Sequence, residues 1–357
     1  MSRVASLLFL GLGLIGCGTS AQLERVVDEA VAGPIADRRF GGVVLVAREG
    51  RPLFRKAYGL ADREQNIAHT PETPFMIMSV SKQFTATLIA RLAAAGKLQL
   101  TDPVASYLAD WPAEWKDVEI RHLLSHSSGL DIDTTYFWLV KHHPEYWPEA
   151  GEPPPYVPRP LFATPGTTYL YANVGYTLLS MIASKAGGRP FDELLREEVF
   201  QPLGLIHTMP ERNGRRVPGR ARGYTRTDDG LMLKEQKTID IIGAGDLVST
   251  ADDLARFDAA FADDRFLPAP LRDSMLTPHV EGKSGASLGY GWFLRTTEGG
   301  RLLQYHNGAG AGFRAFNYRL PKERLSIVIL SNVDESENPW ILPLIDRIAD
   351  AVSGASF

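Results

Sequence analysis

The chain is 357 residues long, 44% hydrophobic and 22% charged, the composition of a globular protein with a sizeable core and not of a disordered polymer. Thirty-eight Lys and Arg against 42 Asp and Glu leave a formal charge of -4, which removes any electrostatic ground for a nucleic-acid partner. The single cysteine, Cys17, excludes an internal disulfide and every multi-cysteine metal site, and the length points to two lobes.

The chain opens on Met1, Ser2 and Arg3, then an apolar run from Val4 to Ile15, the pattern of a secretory leader over residues 1–16. A membrane-spanning helix needs about 20 apolar residues, so this run is too short to cross a bilayer. Its end, Leu14-Ile15-Gly16-Cys17, resembles a bacterial lipobox, in which Cys17 is acylated and anchors the exported protein to the membrane. Thr19, Ser20 and Ala21 also suit ordinary cleavage after Ala21. Gly11, Gly13 and Gly16 spell the G-x-G-x-x-G of a dinucleotide-binding turn, but no alternation of strands and helices follows. The nearest acid after a second strand, Glu49, lies well beyond the roughly 20 residues that turn requires. The expected location is therefore the periplasm or cell envelope.

Past the leader, Leu23, Val26, Val27, Ala30 and Val31 predict an amphipathic helix over Gln22 to Val31. Gly42 to Arg48 and Pro52 to Tyr58 read as strands of a hairpin turned at Glu49-Gly50. Ser79 to Ala95 is a helix with Phe84, Leu88, Leu92 and Ala95 on one stripe. The stretch Asp131 to Pro160, with Tyr136, Trp138, Tyr146, Trp147, Tyr156 and Pro153-Pro154-Pro155, reads as a long loop, either functional or merely solvated. Thr250, Asp252 and Asp253 start another helix through Leu254 and Phe257. Strands follow at Tyr290 to Arg295, Leu302 to Tyr305, Phe313 to Tyr318 and Leu325 to Leu330, then a closing helix from Trp340 to Val352. Strands at both ends around a helical middle predict one sheet-containing lobe from residues 22–78 and 286–357, and a mostly helical lobe over 79–285.

Ser79 and Lys82 form the chain's one S-x-x-K, at the start of the strong helix. At i and i+3 they share a helical face, so the amine can take the serine proton. By itself this pair is equally a capping serine and a solvated lysine. Tyr171-Ala172-Asn173 then precede a helix carrying Leu178, Leu179 and Ile182, and His306-Asn307-Gly308 end a strand and open a glycine-rich bend. The ordered set S-x-x-K, Y-x-N, H-x-G resembles the serine β-lactamase and penicillin-binding superfamily. Met76 to Ala86, Leu123 to Leu130, Gly243 to Leu247 and Ser249 to Leu254 are similar to its class C-related branch, which holds DD-peptidases, D-aminopeptidases and esterases.

The resemblance implies an α/β fold of the α+β type: an antiparallel sheet flanked by helices, plus a mostly helical lobe. It implies a serine hydrolase acting through an acyl-enzyme on an ester, amide or D-amino acid peptide, or on a peptidoglycan-derived substrate. Ser79 is the expected nucleophile, Lys82 the base and Tyr171 the proton relay. Asn173 is expected to hold Lys82 or the acyl group, or else to cap its helix. The N–H groups of Ser79 and Ala309 would take the oxyanion, and Gly308 would let substrate lie against the strand. His306 stands where class C β-lactamases carry lysine, so a carboxylate would be recognised only when the imidazole is protonated. Lys283-Ser284-Gly285 sits in an evident loop and is no substitute. His122 and His126 lack a third ligand for zinc, and neither cofactor nor metal is expected. A true class C β-lactamase and a non-catalytic penicillin- or peptidoglycan-binding protein are the alternatives.

Overall fold

The computed structural model describes residues 12–146, 157–212, 216–228, 230–234 and 241–353. Its centre is an antiparallel sheet of eight strands: β1 (Gly42–Arg48), β2 (Arg51–Tyr58), β3 (Val280–Glu281), β4 (Ser287–Leu288), β5 (Phe293–Thr296), β6 (Leu302–Gly310), β7 (Phe313–Leu320) and β8 (Leu325–Ser331). They lie in the order β3-β4-β5-β6-β7-β8-β1-β2, so β1 pairs with β8 from the far end of the chain, Gly42 opposite Ser331 through Arg48 opposite Leu325.

Successive strand side chains point to opposite faces, and here both faces are covered. Val43, Leu45 and Ala47 join a core with Phe84, Leu88, Phe257 and Trp292, while Val44 and Val46 join a second core with Leu23, Val27, Ile345 and Ile348. That double burial explains why β1 reads as a continuous apolar run and not as an alternating one. The β1–β2 turn places Glu49 at φ 50° and Gly50 at φ 75°, the left-handed pair of a type I′ hairpin turn. Pro52, which cannot donate to a ladder, sits on the edge strand where the register shifts between Val46 and Ala47.

Several boundaries differ from the sequence expectation. The first helix runs as Leu12–Ala36 and includes Cys17, while residues 1–11 of the expected leader lie outside the described residues. No helix among the described residues is long and apolar enough to cross a membrane. The segment from residue 131 is not a loop throughout: Asp131 caps a helix over Ile132–His142 by accepting from the Thr134 N–H at 2.8 Å, and a single turn follows at Pro144–Tyr146. Trp138 is completely buried beside Trp111, and its indole donates to the Asp110 carbonyl. Trp147, Pro153 to Pro155 and Tyr156 lie outside the described residues. β3 joins the main sheet from within the stretch expected to be helical, because the turn at Ser284 and Gly285, φ 57° and 74°, folds Val280–Glu281 onto β4. That turn is where Lys283 sits. The helix at Ala251–Ala259 starts as expected, with Thr250 Oγ1 accepting from the Asp253 N–H.

Candidate active site

Ser79 lies in a 3₁₀ turn, Met78–Val80, that leads into the helix Ser81–Ala94 carrying Lys82. Met78, immediately before Ser79, has φ 49°, a left-handed backbone that is rare for a long side chain and costs energy the surrounding packing must supply. A three-stranded sheet holds the turn, Phe75–Met76 pairing with Leu247–Ser249 and the latter with Met209–Pro210. The Ile77 N–H donates to the Leu247 carbonyl, and Ser81 Oγ accepts from the Leu247 N–H.

Lys82 is completely buried, and its hydrogen-bonding neighbours are uncharged: Nζ is 3.0 Å from Ser79 Oγ, 2.8 Å from Asn173 Oδ1 and 2.7 Å from the Ala244 carbonyl oxygen. Burial drives its pKa well below the ordinary lysine value, with the smaller pull of Asp246 in the other direction. A neutral amine has two N–H donors and one lone pair. The amide and carbonyl oxygens can only accept, so they take the two donors and the lone pair faces the serine hydroxyl. This is the arrangement a general base needs.

Tyr171 precedes the helix Asn173–Gly187, and its ring lies 4.9 Å from Lys82 Nζ. Burial raises the phenol pKa, and a hydrogen bond to Ser79 opposes the rise. Asn173 is the first helical residue and spends its side chain on Lys82; the preceding Ala172 is the cap, so the helix-capping alternative does not hold. His306, Gly308 and Ala309 are in β6, which runs on to Gly310 and turns only at Ala311-Gly312, φ 55° and 87°. They are therefore strand residues, not the start of a bend. β5 stops opposite Tyr305, so 306–310 extend beyond it.

Ser79, Tyr169, Tyr171, Asn173, Phe293, Tyr305, His306, Asn307 and Ala309 line one cavity of about 460 Å³. His306 is 2% exposed, with Nδ1 2.8 Å from the Asn307 carbonyl, and burial above all pushes its pKa down to about 3. An unperturbed imidazole gains charge near about pH 6.5, whereas burial disfavours the charged form of this ring. Gly308 has a structural role beside the expected one. A Cβ there would sit 2.1 Å from the Ile77 carbonyl oxygen and 3.0 Å from Met78 Cβ, so the glycine lets β6 approach the turn carrying Ser79. The site of Ser79, Lys82, Tyr171 and Asn173 is thus assembled against the strand of His306, Gly308 and Ala309. Among the described residues no three His, Cys, Asp or Glu side chains lie together as a metal site, and His122 Nδ1 instead accepts the Glu119 N–H.

The β-lactamase family model matches residues 23–345. The chain belongs to the β-lactamase family. This β-lactamase-family protein is 30% identical over 324 residues to a D-aminopeptidase of Brucella anthropi, covering 87% of this chain and 58% of that one. It is 29% identical over 331 residues to the esterase EstB of Burkholderia gladioli, covering 81% of each. The crystal structure of a D-amino acid amidase from Ochrobactrum anthropi SV3 superposes with a TM-score of 0.75 at 24% identity, over 94% of this chain and 99% of that one, which shows a shared fold. The homologues make the protein a serine hydrolase of this family.

Some of the site was invisible as such. The Ala244 carbonyl on Lys82 signals itself only through the Gly243-x-Gly245 context, where Gly243 takes φ 75° and its carbonyl accepts from Thr85 Oγ1. Tyr169, Phe293 and Tyr305 become cavity walls only once strand and loop are side by side.

Proposed function

We propose that Ser79, Lys82 and Tyr171 form an acylating set that hydrolyses small esters or amides uncharged around the scissile bond. The observation that carries this reading is the burial of Lys82 Nζ, hydrogen-bonded to uncharged groups and 3.0 Å from Ser79 Oγ. Nζ takes the Ser79 proton as Oγ attacks the carbonyl, and the proton passes by way of the Tyr171 hydroxyl to the leaving group. Water then attacks the acyl carbonyl, giving up a proton through Tyr171 and Lys82, and Ser79 Oγ takes that proton up as its bond to the acyl group breaks and the acid departs. The Ser79 and Ala309 N–H groups hold the developing oxyanion, each such donor contributing about 3 kcal/mol in acyl-transfer enzymes.

The cavity wall supports the choice of substrate. Among the described residues lining it no side chain carries a fixed charge, and His306 stays neutral. A carboxylate, as on a β-lactam or a peptide C-terminus, finds no cation there, and an N-terminal ammonium finds no acid. DD-peptidase and D-aminopeptidase activities are accordingly secondary to ester or amide hydrolysis, and penicillins acylate slowly. The test is steady-state hydrolysis of p-nitrophenyl butyrate, a D-alanine anilide and nitrocefin from pH 5 to 8. Ser79-dependent ester turnover with poor nitrocefin turnover is expected, and His306→Lys should improve nitrocefin acylation relative to the ester. Efficient nitrocefin turnover by the wild type would make it a working β-lactamase, and a stable adduct without turnover on any substrate would make it a binding protein.

For location, the proposal is export through the 1–16 leader with acylation of Cys17, supported by the Leu14-Ile15-Gly16-Cys17 sequence.

A further inference from the structure

His126 is buried, 4% exposed, in a turn with φ 55°, and it touches the Tyr171 segment in three ways. Its backbone carbonyl accepts from the Leu170 N–H at 2.8 Å. Its ring Nδ1 accepts from the Ala172 N–H at 3.2 Å. Its ring lies 4.3 Å from the Tyr171 ring, tilted by 32°, with Tyr176 at 5.0 Å on the same imidazole. The residues before and after Tyr171 are thus both tied to His126, and the phenol rests on its ring.

We propose that His126 is a positioning residue for Tyr171, holding the phenol beside Ser79 and Lys82 through its Nδ1 acceptor and its ring. The inference rests on the reading of Ser79, Lys82 and Tyr171 as the acylating set. An accepting Nδ1 requires the neutral ring with its proton on Nε2. Burial, with Lys82 and His306 close by, disfavours the imidazolium and keeps that tautomer available. Among the described residues Nε2 has no hydrogen-bond partner, and Nδ1 makes the ring's hydrogen bond to the Tyr171 segment. Neighbouring backbone bonds extend the clamp, Gly166 N–H to the Ser127 carbonyl and Phe162 N–H to the Gly129 carbonyl, both at 2.7 Å. What His126 adds to them is the contact with the phenol itself.

Two variants separate its parts. His126→Asn keeps an acceptor at the position of Nδ1 and tolerates the left-handed backbone, whereas His126→Ala removes both acceptor and ring. Each is made in the wild type and in Tyr171→Phe, and single-turnover acylation and steady-state rates on p-nitrophenyl butyrate are compared. His126→Ala should lower kcat about a hundredfold with little change in KM, the size of a misplaced proton-transfer group. His126→Asn should recover at least about tenfold of that. In Tyr171→Phe both losses should shrink to less than about threefold, because a residue acting through Tyr171 has nothing left to position. Equal losses in the two backgrounds, or a folded His126→Ala with wild-type kcat, would overturn the proposal while Ser79-dependent turnover left the site reading intact. If His126→Ala does not fold, the His126→Asn loss in the two backgrounds decides by the same rule. Absence of any Ser79-dependent turnover would overturn both readings.

Discussion

Gly308→Ala puts a single methyl between β6 and the turn that carries Ser79. The added Cβ would stand 2.1 Å from the Ile77 carbonyl oxygen, and ordinary contact lies near about 3.5 Å, so strand and turn must part by about 1.4 Å. Both sides are stiff. The Ile77 N–H is bonded to Leu247, and Gly308 lies in the ladder opposite Ala315. A displacement of about 1 Å at reacting groups costs about a hundredfold in rate, while overpacking costs about 1–3 kcal/mol in stability. Gly308→Ala is therefore expected to lose about a hundredfold in kcat on p-nitrophenyl butyrate and to melt a few degrees lower. Gly33→Ala, at an exposed helical site with nothing within 4 Å of the new methyl, is the control and should leave both quantities unchanged or slightly raise stability. Differential scanning calorimetry and steady-state kinetics on the three proteins suffice. A Gly308→Ala enzyme with wild-type kcat and melting temperature would show that Ser79 does not depend on that close approach.

Lys82→Ala is expected to be nearly as damaging as Ser79→Ala, with Tyr171→Phe milder and the Lys82→Ala, Tyr171→Phe double variant barely worse than Lys82→Ala; multiplying defects would place Tyr171 outside the proton path. Ser79→Ala itself should abolish ester hydrolysis and leave the melting temperature nearly unchanged. Burial raises the Asp258 carboxyl from 3.8 to about 7, so between those values the folded protein holds the proton that the unfolded chain releases, and stability falls as pH rises through that window. Asp258→Asn, which keeps an acceptor for Asn317 Nδ2, should flatten that decline in melting temperature between pH 4 and 7, and an unchanged slope would remove Asp258 from the account. Palmitate labelling in a bacterial host should tag the wild type and miss Cys17→Ala, whereas an unlabelled wild type in the soluble fraction would favour cleavage after Ala21.

What the sequence carried by itself was local. The apolar run Val43 to Ala47, the Glu49-Gly50 turn and the stripe of Phe84, Leu88 and Leu92 are readable because neighbours along the chain meet at fixed periods of two or 3.6 residues. The S-x-x-K spacing belongs to the same class, since i and i+3 fall on one face whatever the rest of the fold does. The likeness of Y-x-N and H-x-G to a known family named their residues, but it did not say how they stand in this protein. Tertiary structure decided that. Lys82 meets Asn173 across 91 residues of chain and the Ala244 carbonyl across 162, and no spacing rule reaches that far. The same distance in sequence hid the roles of three other residues. Gly308 is small because Ile77 comes within reach of it, His126 matters because Ala172 does, and His306 is neutral because burial outweighs the ring's ordinary basicity. Burial, close approach and charge state are properties of the packed molecule, so they exist only after elements remote in sequence have been brought together.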